Sequence, residues 1–237
     1  YECWDKGTGT IMILGDICTR ACGFCAVKTG KPVWNDPLEP FRTAIAVKKM
    51  GLKHVVITSV DRDDIKSDYG ASIWAETIDQ IHYHVPECNV EVLTPDFKGN
   101  KFALLKVFNA KPEIFSHNVE CVERVSKKVR TQANWKTSID VLKFSVENEM
   151  RTKTGIMVGL GETFVEVIET MKQIVNIGVK IFTIGQYLQP TKTHLPVDRY
   201  VKETEFKDYE KIGLEMGFDI VKSSSLVRSS YQADECL

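Results

Sequence analysis

The sequence lacks any apolar run near the ~20 residues that a membrane-spanning helix needs. It also lacks an excess of charge of either sign: 31 Lys and Arg stand against 32 Asp and Glu, a formal net charge of −1. That balance gives no general electrostatic pull toward nucleic acid or a membrane surface, so neither is expected as a partner. No signal peptide, internal repeat, low-complexity segment or linker is visible. The chain begins with Tyr1 rather than Met, which gives the expectation that it starts inside a longer protein. An even set of cysteines is missing too. There are seven: Cys3, Cys18, Cys22, Cys25, Cys88, Cys121 and Cys236. An odd count with three clustered argues against a disulfide framework. It points to a reducing compartment, where thiolates remain available for metal. With 237 residues and 43% hydrophobic content, one sizeable domain with a normal core is expected.

What is present is organised around Cys18-Thr19-Arg20-Ala21-Cys22-Gly23-Phe24-Cys25, a Cx3Cx2C spacing that closely follows Ile11-Met12-Ile13-Leu14. A structural zinc site would want a fourth Cys or His close by, and none follows Cys25. The nearest histidine, His54, lies in a different apolar run. A cubane iron–sulfur cluster has four iron corners and normally takes four cysteines. Three thiolates leave one iron open, and an open position is what chemistry requires. The spacing favours a cluster with one free iron, built to bind S-adenosylmethionine. Zinc and three unrelated buried thiols are the alternatives. Cys88, Cys121 and Cys236 have no metal-like neighbours and read as ordinary small thiols.

Short apolar runs alternate with amphipathic stretches along the rest of the chain. Runs at 11–17, 54–60, 90–93, 114–118, 154–160 and 181–188 read as strands. Helices are expected at 41–50, 71–84, 102–108, 119–130, 135–149, 164–177 and 203–216, with Thr163 as an N-cap and Gly178 as a stop. The tail from 218 to 231 is expected to be partly extended. Strict strand–helix alternation argues for a parallel sheet wound in one direction. Near-continuous apolar strands fit a sheet covered on both faces. The fold class is therefore α/β, an incomplete (β/α)6 TIM-like barrel, with an open doubly wound sheet as the alternative. In such a barrel the site lies at the C-terminal ends of the strands.

Polar residues collect at those ends. Asn118 and Glu120 could bind ribose hydroxyls, or serve as a cap and a favourable charge at a helix start. Arg62, within Asp61-Arg62-Asp63-Asp64, could anchor a carboxylate or organise its loop. Lys127 and Lys128 read as a solvated helix face. Gly155-Ile156-Met157-Val158-Gly159-Leu160-Gly161-Glu162 lacks the Gly-Lys-Ser/Thr ending of a nucleotide P-loop. Its small residues would let a flat base approach the backbone.

Several stretches together resemble the lipoyl synthase family of radical S-adenosylmethionine enzymes. They are Gly15-Asp16-Ile17-Cys18-Thr19-Arg20-Ala21-Cys22-Gly23-Phe24-Cys25, Thr58-Ser59-Val60-Asp61-Arg62-Asp63-Asp64 and Pro95-Asp96-Phe97-Lys98-Gly99. His117-Asn118-Val119-Glu120, the glycine segment through Thr163, Thr183-Ile184-Gly185-Gln186-Tyr187-Leu188-Gln189-Pro190 and Arg228-Ser229-Ser230-Tyr231 complete the series. The motifs cover essentially the whole chain in order. Two departures stand out: Cys121 replaces a usual threonine, and Ser223-Ser224-Ser225 replaces a Ser-Gly-Pro-like turn.

The resemblance implies a barrel of the radical SAM type and two [4Fe-4S] clusters. Cys18, Cys22 and Cys25 would hold the first, which cleaves S-adenosylmethionine. Cys3 and Ser230 would belong to an auxiliary cluster whose first two cysteines would lie before Tyr1. Phe24 would lie against the adenine. Arg130 and Ser138 would approach the methionine end or line the substrate site. Residues 1–10 would be the remnant of an auxiliary-cluster segment, 11–217 the barrel, and 218–237 a tail carrying the Arg-Ser-Ser-Tyr motif. The implied reaction inserts sulfur at C6 and C8 of a protein-bound octanoyl chain through a 5′-deoxyadenosyl radical, with the auxiliary cluster consumed as sulfur source. Implied partners are octanoylated lipoyl-carrier proteins, namely the glycine cleavage H protein and the E2 lipoyl domains of 2-oxoacid dehydrogenases. A low-potential ferredoxin or flavodoxin would donate electrons, in the cytoplasm or the mitochondrial matrix. A biotin-synthase-like sulfur inserter and a non-catalytic iron–sulfur electron carrier are the rival readings.

Overall fold

The structure, a computed structural model, describes residues 7–33, 36–230 and 233–236. Cys3 lies outside the described residues. Seven strands form one parallel sheet: β1 (Thr8–Ile13), β4 (His54–Ser59), β5 (Asn89–Leu93), β6 (Ile114–Ser116), β7 (Thr152–Val158), β8 (Ile181–Gln186) and β9 (Ile220–Ser224). Two short strands after β1, β2 (Ile17–Cys18) and β3 (Lys28–Thr29), pair separately. The connecting helices are α1 (Glu39–Met50), α2 (Ala71–His84), α3 (Lys101–Asn109), α4 (Glu123–Val129), α5 (Trp135–Glu147), α6 (Phe164–Asn176) and α7 (Glu203–Met216).

Strand order in the large sheet follows chain order without a reversal. Right-handed crossovers then place every connecting helix on the same face. A doubly wound sheet needs a switch point, so that alternative is set aside. Among the described residues β1 and β9 do not pair, and the barrel stays open between them. The six-unit incomplete barrel read from the sequence is the fold observed. A seventh strand, β9, is added from the segment expected to be a partly extended tail.

Local chemistry explains the boundaries. Pro40 sits in the first turn of α1, where its missing N–H costs nothing, and Gly51 ends that helix at φ 62°. Thr163 and Glu166 form a reciprocal capping box on α6: Thr163 Oγ1 accepts from Glu166 N, and Glu166 accepts from Thr163 N. One boundary differs from expectation. The helix read from 119 to 130 starts only at Glu123. Glu120 instead bridges to β7: its N–H donates to the Gly155 carbonyl at 3.1 Å, and its carbonyl accepts from Met157 N at 2.8 Å. Those sheet bonds outweigh the helical periodicity of the valines.

The core lies between sheet and helices. Val47, Trp74, Ile78 and Leu104 pack on β4 and β5. Val167, Met171, Phe206 and Tyr209 pack on β7 and β8. Toward the N-terminal ends of the strands, the barrel interior holds a Lys153–Glu91 ion pair at 3.0 Å, both side chains fully buried. A one-turn 3-10 helix, Ala233–Cys236, closes this floor: Arg151 Nε donates to the Cys236 carbonyl at 2.7 Å, and Cys236 packs with Ile114 and Ile181.

Candidate active site

The cysteine loop is fixed by the strand ends around it. Cys18 closes β2, and its carbonyl accepts from Gly30 N at 2.9 Å. Thr19 N donates to the Asp61 carbonyl at 3.0 Å, and Gly23 N donates to the Val129 carbonyl at 2.9 Å. His194 donates from Nε2 to the Cys25 carbonyl at 3.0 Å. Between the cysteines, Arg20 turns inward. Its guanidinium is forked onto Asp63 at 2.9 Å and onto Asp96 at 2.6 and 2.9 Å, with Asp61 at 3.3 Å. One buried cation thus ties the loop after β1 to the ends of β4 and β5. Arg20 carries no distinctive local pattern; its place between Cys18 and Cys22 is the one signal of its role in the sequence.

Cys18, Cys22 and Cys25 face one cavity of about 300 Å³, together with Phe24, Asp61, Asn118, Glu120 and Arg130. Among the described residues, no group of three His, Cys, Asp or Glu is arranged to hold a single metal ion. The loop suits a larger centre. Cys18 Sγ already accepts backbone N–H bonds from Arg20 at 3.4 Å and Asp61 at 3.3 Å, the kind of contact that supports a cluster thiolate. Burial pushes the Cys22 thiol up to about 12 and raises that of Cys18. A bound cationic centre reverses that preference, because coordination deprotonates thiols.

A second cavity of about 220 Å³ adjoins the first. Phe24, Asn118 and Glu120 line both. The Asn118 amide hydrogen-bonds the Glu120 carboxylate, and Asn118 Oδ1 is buried with no partner in the chain. An orphaned acceptor of this kind calls for a donor from a ligand. Glu120 adopts φ 68°, an uncommon conformation for a non-glycine residue that aims its side chain at this junction. Burial raises the Glu120 carboxyl, against the opposing pull of Arg130 and Asn118. On the far wall, a Cβ at Gly155 would collide with the Thr183 hydroxyl and stand 3.1 Å from the Thr183 carbonyl and 3.3 Å from Asn118 Oδ1. Gly155 therefore lets β7 pack closely on Thr183 of β8 and leaves the Asn118 acceptor uncrowded where both line the second cavity. Gly159 does not serve that end: its Cβ would meet Gln186 and Arg199 instead.

The other expected residues are placed as follows. Arg130 is 6% exposed and lines the first cavity. Ser138 is fully buried and has no surface on either cavity; it stands behind Arg130, whose Nη1 donates to its hydroxyl at 3.0 Å. Ser230 is half-buried in the turn after Val227, next to Arg228 and Ser229, which line the second cavity. Arg62 pairs with Asp64 at 2.9 Å and reaches the Leu14 carbonyl, so it organises its own loop. Lys127 and Lys128 are exposed on α4. His117, beside Asn118 in the sequence, is buried between Thr94 and Ser138 at the edge of the first cavity.

Comparison with known proteins gives the family and the fold. A profile of the Radical SAM superfamily matches residues 12–174. The chain is 52% identical, over its whole length and 80% of the relative, to the lipoyl synthase of Christiangramia forsetii. It is 54% identical over 99% of its length to the lipoyl synthase of Rubrobacter xylanophilus, covering 73% of that protein. The mitochondrial lipoyl synthase of Nematostella vectensis is 51% identical over 99% of this chain and 80% of its own. Among solved structures, methylornithine synthase (PylB) superposes with a TM-score of 0.65 at 14% identity, covering 97% of this chain and 77% of its own. Streptococcus suis SuiB bound to S-adenosylmethionine gives 0.70 at 11% identity over 96% of this chain and 52% of its own, a likeness of fold alone. With a cysteine loop at the mouth of an open parallel barrel and relatives above half identity over the full chain, this chain belongs to the lipoyl synthase family of the radical SAM superfamily.

Proposed function

We propose that Cys18, Cys22 and Cys25 hold the [4Fe-4S] cluster of the family's reaction, the insertion of two sulfur atoms at C6 and C8 of protein-bound octanoyl groups. The observation that carries this assignment is the meeting of all three thiols with Phe24, Asn118 and Glu120 around two adjoining cavities. When bound there, the cluster and S-adenosylmethionine supply a 5′-deoxyadenosyl radical able to remove hydrogen from an unactivated carbon. The chain's own residues bind and orient. Glu120 and the free Asn118 Oδ1 accept from the ribose hydroxyls, Phe24 lies against the adenine, and Gly155 leaves the Asn118 acceptor uncrowded. Arg130 presents its positive charge to the anionic methionine end.

Cys3 and Ser230 are the candidates in this sequence for the auxiliary cluster. Because the barrel sheet runs from Thr8 to Ser224, the expected division at 1–10, 11–217 and 218–237 narrows: the residues before β1 and the turn after β9 would serve the second centre, and the barrel carries the first. The substrates are octanoyl groups on carrier proteins, for which glycine cleavage H protein and E2 lipoyl domains are the candidates. Ferredoxin or flavodoxin is the proposed electron source. No helix among the described residues is long and apolar enough to cross a membrane. The cytoplasm or the mitochondrial matrix is the proposed compartment.

The test is Cys22→Ala, reconstituted without oxygen and supplied with dithionite and S-adenosylmethionine. Formation of 5′-deoxyadenosine should be abolished. Product at the parent rate would sink the ligand assignment.

A further inference from the structure

Arg130 is buried, yet no carboxylate of the chain lies within ion-pair distance of it among the described residues. Only Nη1 is used, donating to Ser138 Oγ at 3.0 Å and to the Val119 carbonyl at 3.3 Å. Nε and Nη2 have no protein acceptor there. Behind Arg130 stands a chain of hydrogen bonds with a fixed direction. The Thr94 carbonyl can only accept, so His117 Nδ1, 2.9 Å away, carries the proton. In the neutral ring Nε2 is then a lone-pair acceptor. Ser138 Oγ, at 3.0 Å, must donate to it. That turns the serine's own lone pairs toward Arg130. Burial, reinforced by the charge of Arg130, presses His117 down to about 4, so the ring is neutral near pH 7.

We propose that His117 and Ser138 are positioning residues of this site, which lock the Arg130 guanidinium in one orientation so that its free N–H groups meet the carboxylate of bound S-adenosylmethionine. The proposal rests on the reading of Arg130 as the group facing the methionine end. Ser138 acts only through Arg130, because it is fully buried and lines neither cavity. His117 borders the first cavity, but its ring nitrogens are engaged by the Thr94 carbonyl and Ser138, so it acts through Ser138, by fixing which way the hydroxyl points. The two belong to different elements: His117 follows β6, and Ser138 lies on α5. The relay therefore sets the guanidinium against the sheet as well as against its neighbouring helix.

The experiment measures S-adenosylmethionine affinity by anaerobic equilibrium dialysis on the cluster-loaded chain. The electron paramagnetic resonance signal of the reduced cluster, with and without S-adenosylmethionine, is recorded in parallel. Ser138→Ala should weaken binding about tenfold, or ~1.4 kcal/mol, with iron content unchanged and a smaller spectral response to the ligand. Arg130→Ala should weaken it at least as much. In the Arg130→Ala background, Ser138→Ala should have no further effect. Parent affinity in Ser138→Ala, or two losses that add in full, would overturn the relay. If Arg130→Ala itself binds normally, the ligand-facing reading of Arg130 fails first and the proposal with it. Should Ser138→Ala fail to hold iron, His117→Phe removes the acceptor, keeps the serine, and carries the same cycle.

Discussion

Arg20 carries one positive charge among three carboxylates, Asp61, Asp63 and Asp96, with Lys98 adding a second cation at 2.9 Å from Asp63. Burial works to raise the Asp96 carboxyl, but the hydrogen bonds and charge of Arg20 hold it down to about 2. Asp63 is lowered by the same partner against its own burial, whereas burial raises Asp61 despite Arg20. A depressed carboxylate contributes stability that is present above its ordinary range and lost as pH falls through the folded value. For Asp96 that window runs from near 4 down to about 2. Arg20→Ala should cost roughly 3–5 kcal/mol at pH 7, because it strands the buried Asp96 carboxylate beside the half-buried Asp61 and Asp63. Urea midpoints measured from pH 7 to pH 3 check this: the gap between parent and variant should narrow as the pH falls. A gap that stays constant would mean that Arg20 matters through packing rather than charge.

At the scale of elements, β8 and the turn after β9 are packed backbone to backbone. A Cβ at Gly185 would collide with the Val227 carbonyl oxygen, and a main-chain atom cannot swing aside as a side chain can. Val227 is itself buried, and Arg228 and Ser229 follow it into the second cavity. Glycine on β8 is therefore what seats the Arg-Ser-Ser turn over the barrel mouth. Gly185→Ala should lower stability by about 1–3 kcal/mol, the usual scale of overpacking. Trypsin should then cut after Arg228 faster than in the parent. An unchanged urea midpoint together with unchanged cleavage would show that the turn is not held against β8.

For the whole molecule, the described parts of the tail lie at both ends of the barrel. Val227 and Ser229 belong to the mouth, while Asp234 accepts from Thr8 Oγ1 at 3.3 Å at the start of β1, and Cys236 closes the floor. Mouth and floor are thus tied by one segment. The two proposed metal centres are unequal in this sequence. The first has three thiolates on one loop; the second has Cys3 and Ser230, one thiolate and one hydroxyl, against the four protein ligands a cubane normally takes. Residues 1–237, reconstituted anaerobically, should bind about four irons per chain, one cubane's worth, and split S-adenosylmethionine without forming lipoyl product. Iron analysis giving twice that amount would require other ligands, with Cys88, Cys121 and Cys236 the first to test.

The sequence by itself determined most element types, their order and the cysteine loop. Those features are written in short-range patterns: β-branched runs, helical periodicity, the Thr163–Glu166 cap and three cysteines within eight residues. It also brought out Asn118 and Glu120, because polar residues just past a buried strand stand out locally. Tertiary structure decided the rest. That Ile220–Ser224 is a seventh strand depends on an edge of β8 being free to pair, which no local pattern records. Residues 119–122 leave the helix because the carbonyl of Gly155 and the amide of Met157 wait beside Glu120. Arg20 reaches Asp63 and Asp96, 43 and 76 positions away, and Arg130 reaches Ser138 while Ser138 meets His117 from another element. A hydrogen bond is decided by which groups arrive at 3 Å of each other. Only the folded arrangement of strands and helices brings those groups together.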